Sequence, residues 1–238
     1  MLKALSQSLL SFVFPVSCEL CGSLLPARDM DGVCGSCQRS IPLIPSPRCP
    51  KCGRFSSEFT RDCALCRAET FYFDHAHAAV YYDGRAKELL RALKFSRKKR
   101  LTKTLLSLLE RSIRENGVTS DADGVVAVPM HRALRFDRGF DQAELFARGV
   151  SKMLAKPFLS GALISGRPGK MQSKLGKFER KENVKDRFRL GRRTDLSGKK
   201  LLLVDDILTT GETASQCAKI LKSSGAASVQ VFAVARGC

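Results

Sequence analysis

Acidic residues are scarce in this chain. It has 23 of them against 41 lysines and arginines over 238 residues, a formal charge of +18. That imbalance favours polyanionic partners, nucleic acid or phosphorylated ligands, without choosing between them. A long apolar run is also missing. The nearest candidate, residues 2–14 behind Lys3, is too short to span a bilayer, and no small-x-small cleavage site follows it. A lipid-modified Cys18 is disfavoured because Pro15 stands where a leucine is expected. The segment reads as a short amphipathic helix lying on the body, with no transmembrane segment. Finally, there is no G-x-x-x-x-G-K-[ST] loop. Gly169-Lys170, Gly176-Lys177 and Gly198-Lys199 are followed by Met171, Phe178 and Lys200, which removes an ATPase reading of any acidic strand.

Cysteine, by contrast, is plentiful and ordered. Eight of the 10 cysteines form four C-x-x-C pairs: Cys18/Cys21, Cys34/Cys37, Cys49/Cys52 and Cys63/Cys66. Without a secretory signal this spacing points to metal rather than disulfides. Each pair can turn two thiolates toward one ion, and two pairs complete a tetrahedron. Gly22, Gly35 and Gly53 lie beside these pairs, where such turns need a permissive backbone. The economical arrangement is two tandem zinc ribbons, Cys18, Cys21, Cys34 and Cys37, then Cys49, Cys52, Cys63 and Cys66; a crossed pairing stays open. Iron–sulfur ligation uses the same residue types, but the ribbon spacing suits structural zinc. Few large apolar residues lie here, so the metal supplies folding energy directly. Arg48, Lys51, Arg54, Arg61 and Arg67 are interleaved with Phe55, Phe59, Phe71, Tyr72 and Phe73. That pattern suits single-stranded nucleic acid, or equally the filling of a domain junction.

From residue 73 the pattern becomes alternating strands and helices. Strands are expected over 78–82, 123–128, 161–165, 201–204 and 228–234. Helices are expected around Leu89, Leu90 and Leu93, up to Glu115, from Gly139, and over 214–223. This order predicts an α/β fold with a mostly parallel sheet, residues 73–238, preceded by a small unit of helix and zinc ribbons, residues 1–72. The run Lys94-Phe95-Ser96-Arg97-Lys98-Lys99-Arg100 is the densest positive charge, either an anion site or a solvated helix junction. A loop after the second strand carries His131, Arg132, Arg135 and Arg138 and can hold a pyrophosphate. Residues 166–193 are basic and poor in apolar side chains, with Arg167, Lys170, Lys174 and Arg180 suited to a lid that closes over an anion.

Residues 201–213 carry the most specific signal: Leu-Leu-Leu-Val-Asp-Asp-Ile-Leu-Thr-Thr-Gly-Glu-Thr. An unbroken apolar run fits a strand buried on both faces. Asp205 and Asp206 then sit at its carboxyl end, where open α/β sheets bind ligands. Thr209, Thr210, Gly211, Glu212 and Thr213 lead into a helix whose free N–H groups can cradle a phosphate. The stretch resembles the phosphoribosyl pyrophosphate (PRPP) motif of type I phosphoribosyltransferases. By that resemblance Asp205 and Asp206 bind the ribose hydroxyls, residues 209–213 bind the 5′-phosphate, and Mg²⁺ bridges pyrophosphate and ribose oxygens.

Nearly the whole chain resembles the ComF family of competence-associated, phosphoribosyltransferase-like proteins, which includes the GntX type. The residues that carry this are Phe14-Pro15-x-x-Cys18-x-x-Cys21-Gly22, then Leu90-x-x-Leu93-Lys94-Phe95, then Val128-Pro129-x-His131-Arg132. Arg138-Gly139-Phe140-Asp141-Gln142-Ala143 follows, with Arg167, Gln172, Leu175, Arg180, Asn183-Val184 and Phe188. Asp141 stands where the family has Asn. The resemblance implies a cytoplasmic protein at the inner-membrane face, needed for natural transformation. It implies partners in incoming single-stranded DNA and the ATP-driven translocation machinery. Two functions follow: a phosphoribosyltransferase with an unidentified acceptor, or a non-catalytic zinc-ribbon module that keeps the transferase fold and binds single-stranded DNA or a protein partner.

Overall fold

Four parallel strands carry most of the chain: β1 (His75–Tyr81), β2 (Gly124–Ala127), β5 (Lys200–Leu208) and β6 (Ser228–Arg236), in the spatial order β1-β6-β5-β2. The computed structural model describes residues 16–26, 31–56, 63–116, 121–166, 187–191 and 195–237. The expected helix over 2–14, Phe59, Arg61 and the lid residues Arg167, Lys170, Lys174 and Arg180 lie outside them. The two inner strands explain the unbroken apolar runs. Leu201 to Val204 and Val229, Val231 and Ala233 have neighbours on both sides and a helix layer on each face, so neither face needs polar residues.

On one face lie α3 (Gly84–Phe95), α4 (Leu101–Glu115) and α6 (Gln142–Met153). Leu89, Leu90 and Leu93 of α3 and Leu101, Leu105, Leu108 and Leu109 of α4 recur at helical spacing and are fully buried against Val125, Leu202, Val204 and Val234. On the other face α7 (Glu212–Ser223) packs Ala214, Cys217, Ala218 and Leu221 on Leu201, Leu203 and Val231, with Phe71 and Phe73 stacked beside them at 4.9 Å. The α/β fold with a mostly parallel sheet, preceded by a small zinc-ribbon unit, is therefore the architecture of the chain.

The ribbons are built from two kinds of turn. Cys18/Cys21 and Cys49/Cys52 sit on small hairpins closed by Gly22 N–H to the Cys18 carbonyl (2.9 Å) and Gly53 N–H to the Cys49 carbonyl (2.8 Å). Gly22 and Gly53 are left-handed, with φ of 73° and 70°. Cys34/Cys37 and Cys63/Cys66 belong instead to short helices, α1 (Gly35–Arg39) and α2 (Ala64–Ala68). Gly35 opens α1 and needs no left-handed turn, which corrects the expectation placed on it.

Three further details differ from the sequence reading. The basic stretch after β2 is a helix, α5 (Arg132–Arg138), not a loop. His131 Nδ1 accepts from the Ala133 N–H at 3.2 Å to cap it, and Gly139, φ 75°, stops it. Residues 188–190 form β4 (Phe188–Leu190), antiparallel to β3 (Leu163–Ser165) in a separate two-stranded sheet. Strand β5 continues through Asp205 and Asp206 to Leu208, four residues past the expected end, because its backbone stays paired with β6 as far as Arg236.

Candidate phosphate and ribose site and the two metal centres

Asp205 and Asp206 sit near the carboxyl end of β5, partly buried. Asp205 Oδ1 accepts the Asp206 backbone N–H at 2.8 Å. Asp206 is paired with Lys94, from the last turn of α3, at 2.7 Å. Burial and the neighbouring Asp206 carboxylate push Asp205 up to about 8. Two residues past the strand, Thr209 and Thr210 are exposed. Gly211 turns the chain with φ 88° and serves as the N-cap of α7, which no side chain caps. Apart from a 3.4 Å contact from the Glu212 N–H to Thr210 Oγ1, no side chain takes up the first N–H groups of α7 among the described residues. A Cβ on Gly211 would lie 2.9 Å from the Phe71 ring, so only glycine permits this close approach. The Tyr72 N–H donates to Ser215 Oγ at 3.0 Å, fixing the same turn from behind.

The remaining expected anion ligands are only partly gathered here. The Val128 N–H bonds the Val204 carbonyl at 2.9 Å, so Pro129 and the residues after it run beside the Asp205 end of β5. His131 and Arg132 line a cleft of about 480 Å³ between α5 and the β3–β4 pair, together with Arg135, Glu144 and Arg189. No residue of 205–213 lines that cleft. Arg138 turns to Gln142 Oε1 at 3.3 Å and over the Phe95 ring at 5.9 Å. Lys94 lies in the site but against Asp206. Asp141 is a buried N-cap: Oδ1 accepts from the Glu144 N–H and Oδ2 from the Met130 N–H, both at 3.1 Å. Burial raises its pKa despite those two donors. Its role is to pin the turn before α6, and the pattern Asp141-x-x-Glu144 was the sequence signal for it.

The basic cluster is mostly engaged. Lys98 Nζ meets Glu19 at 2.5 Å, and Arg100 bonds the other oxygen of the same carboxylate, fastening the first ribbon to the start of α4. Lys99 lies over Phe140 at 5.0 Å. Arg97 bonds the Asp137 carbonyl. In the ribbons, Phe71 and Phe73 are buried and fill the junction with the sheet, which settles their part of the aromatic pattern.

The eight cysteines fall into the two expected groups, Cys18, Cys21, Cys34 and Cys37, and Cys49, Cys52, Cys63 and Cys66, with all sulfurs of a group within 4.8 Å of one another. Four sulfurs about 2.3 Å from zinc lie about 3.8 Å apart along the tetrahedron's edges. The separations Cys21–Cys34 of 3.7 Å, Cys49–Cys66 of 3.8 Å and Cys52–Cys63 of 3.6 Å meet that test. The crossed pairing is thereby removed. The crowded thiols already differ in acidity: the Ser36 hydroxyl and the Cys37 backbone hold Cys34 down to about 6, while Cys34 and burial push Cys37 up to about 12. Among the described residues no helix is long and apolar enough to cross a membrane.

A double zinc ribbon domain model matches residues 9–68. The DNA utilization protein YhgH of Escherichia coli K12 is 30% identical over 225 residues, 93% of this chain and 97% of that protein. Competence protein F of Haemophilus influenzae is 27% identical over 94% of this chain and 98% of its own length. Competence protein ComFC of Streptococcus pneumoniae is 28% identical over 93% and 100%. Among solved structures, a glutamine PRPP amidotransferase from B. subtilis aligns at 22% identity over 56% of this chain and 26% of that one, with a TM-score of 0.38, too slight a likeness to bear on function. The curated relatives match nearly end to end, through ribbons and sheet alike, and the chain belongs to the ComF family of competence-associated, phosphoribosyltransferase-like proteins.

Proposed function

We propose that the chain binds PRPP with Mg²⁺ at the carboxyl end of β5 and serves DNA uptake in natural transformation, working on incoming single-stranded DNA at the cytoplasmic face of the inner membrane with the translocation ATPase. One observation carries the PRPP part. Two adjacent carboxylates, Asp205 and Asp206, stand within a few residues of an uncapped helix N-terminus behind a left-handed glycine. A vicinal diol and a phosphate on one sugar need that pair of features. The DNA part is supported by relatives named for DNA utilization and competence.

In this reading Asp205 and Asp206 accept the ribose 2′- and 3′-hydroxyls. Backbone N–H groups and hydroxyls of Thr209, Thr210, Gly211, Glu212 and Thr213 hold the 5′-phosphate. Lys94 exchanges Asp206 for the pyrophosphate, while His131 and Arg132 face the separate cleft beside β3 and β4 and Arg138 turns to Gln142. The carboxylates are hard oxygen donors that suit Mg²⁺, which neutralises the pyrophosphate charge when bound. Transfer then consists of a nitrogen acceptor forming a bond to ribose C1 while the C1–O bond breaks and pyrophosphate departs. The chain's own part is to orient the sugar and stabilise the leaving charge. Residues 1–72 serve as the metal-bound unit and 73–238 as the ligand-binding unit.

Calorimetric titration of the zinc-loaded protein with PRPP and Mg²⁺ tests this. Replacing both acceptors in Asp205→Asn/Asp206→Asn should weaken binding about 100-fold or more, since hydrogen bonds to charged groups contribute about 1.5–3 kcal/mol each. Equal binding by the variant, or no heat from the native protein, defeats the assignment.

A second reading, a binding module for single-stranded DNA, is favoured by one surface. Phe136 is 92% exposed on α5 and Phe95 is 69% exposed at the end of α3, with Arg138 over its ring and Arg97 bridging to Asp137. Exposed rings amid cations suit base stacking beside phosphate contacts. Phe95→Ala/Phe136→Ala should weaken single-strand binding by about 10-fold or more at fixed salt and leave PRPP binding unchanged. Unaltered DNA affinity removes this surface from the account.

A further inference from the structure

The two four-cysteine groups differ in how water reaches them. In the first, Cys18 and Cys37 are buried in the core shared with α3 and α4, whereas Cys21 is exposed and Cys34 is only partly covered. The two sulfurs that face water are also neighbours, with Cys21 Sγ and Cys34 Sγ 3.7 Å apart. Metal-bound cysteines are thiolates, so the hydroxyls beside them, Ser23 at 3.0 Å from Cys21 and Ser36 at 3.1 Å from Cys34, donate to sulfur. The buried Cys18 sulfur takes a backbone donor instead, the Cys34 N–H at 3.4 Å.

The arms that carry the exposed pair are held by contacts independent of a metal. Glu19 lies two residues before Cys21, and Gly32 two residues before Cys34. The Glu19 N–H donates to the Gly32 carbonyl at 2.9 Å and joins the arms. The Glu19 carboxylate is held by Lys98 and Arg100. A Cβ on Gly32 would lie 2.9 Å from Arg100 Nε and 3.0 Å from the Leu101 side chain, so this arm too is seated on the start of α4. Loss of the ion therefore leaves Cys21 and Cys34 side by side. The second group is built differently. Cys49, Cys52 and Cys63 are buried and Cys66 is partly covered. Gly53 packs so closely on the Ala76 carbonyl that no Cβ fits, which presses this ribbon onto β1. An oxidant meets one partly covered sulfur there, with no exposed neighbour.

Oxidation of cysteine follows thiolate character and access. We propose that Cys21 and Cys34 are a peroxide-oxidisable pair whose disulfide releases the metal of the first centre while the second centre keeps its own. The Cys21 thiolate attacks one oxygen of hydrogen peroxide, so an S–O bond forms as the O–O bond breaks. The departing hydroxide takes a proton from solvent and leaves as water. The Cys34 thiolate then attacks the sulfenic sulfur, forming the S–S bond as the S–O bond breaks, and a second hydroxide leaves as water in the same way. The two thiolates give up two electrons, and the peroxide is reduced to two waters. Cys18 and Cys37 alone remain, short of the four ligands that structural zinc takes. A thiol reductant returns two electrons and regenerates both thiolates on arms already in place.

The test treats the full zinc-loaded chain with hydrogen peroxide beside a colorimetric zinc indicator, and maps disulfides by peptide mass spectrometry in the same samples. One of the two bound zinc ions should be released first, together with a Cys21–Cys34 disulfide, while Cys49, Cys52, Cys63 and Cys66 stay reduced. Dithiothreitol and added zinc should then restore the original metal content. Release of both ions in one phase, or earlier release from the second centre, overturns the proposal. A first disulfide within Cys18/Cys21 or within Cys34/Cys37 does so too, as does retention of both ions at peroxide doses that oxidise free cysteine. Failure to recover zinc, with Cys21 found as sulfinic acid, also overturns it, since Cys34 would then not have resolved the sulfenic acid.

Discussion

Asp205 is held where a negative charge is costly to the folded protein. Burial and the Asp206 carboxylate raise it from 3.8 to about 8. A carboxyl whose folded pKa lies above its unfolded value binds more protons folded than unfolded, so stability falls as pH rises between the two values. At 1.36 kcal/mol per pKa unit the penalty is about 3 kcal/mol at pH 6 and about 5 kcal/mol at pH 8, levelling above that. Asp205→Asn keeps the acceptor oxygen for the Asp206 N–H and removes the ionisation. The variant should therefore be more stable than the native protein, and its advantage should grow by about 2 kcal/mol from pH 6 to pH 8. Urea unfolding of both zinc-loaded proteins across that window measures the difference, and staying above pH 6 keeps the thiolates on the metal. Parallel stability curves would refute the reasoning, since they would mean that Asp205 titrates as an ordinary carboxyl. With Asp205 as the proposed ribose acceptor, the same linkage predicts tighter PRPP binding as pH rises toward 8.

Two further outcomes follow from single contacts. Gly211→Ala places a methyl 2.9 Å from the Phe71 ring at φ 88°, so it should cost about 1–3 kcal/mol in thermal unfolding and weaken phosphate binding in proportion. An unchanged melting temperature would show that the turn can relax. Glu19→Ala removes the carboxylate shared by Lys98 and Arg100, and should lower stability by about 1–2 kcal/mol in urea, with the loss shrinking in high salt.

The parts of this fold legible in the sequence are those written locally. A strand with neighbours on both sides, such as β5, reads as Leu201 to Val204 without a polar break, and the turn after it must spell its own geometry in threonine and glycine. Four C-x-x-C pairs announce their chemistry for the same reason: both thiols of a pair come from one turn. Helix α5 was hidden because its cap is His131, a residue that seldom caps, and because its seven residues bury none of their side chains, leaving no periodic stripe to detect. Strand β4 was hidden within a basic segment because only Phe188 of its three residues is buried. The destinations of Lys98 and Arg100 were hidden because their partner, Glu19, lies about eighty positions away, beyond the reach of any local pattern.

The ribbons and the ligand site are physically one construction. Cys18 and Cys37 pack in the same core as α3 and α4, and Cys66 lies against the core that holds α7 and Leu208. Five residues after Cys66, Phe71 closes on Gly211, and the Tyr72 N–H holds Ser215. The turn that would cradle a phosphate is thus buttressed by residues that emerge directly from the second ribbon, and Arg236 Nη1 reaches the Leu208 carbonyl at the end of the strand that leads into it. Metal loss at that ribbon removes the covalent frame that sets the position of Phe71, and with it the support for a left-handed glycine that nothing else covers so closely. Hydrogen exchange over residues 209–215 should therefore accelerate on chelation of the second centre, whereas amides of β2, which pairs with β5 at the far edge of the sheet, should respond far less. A uniform acceleration across both would mean that the metal stabilises the chain globally and has no privileged connection to the phosphate turn.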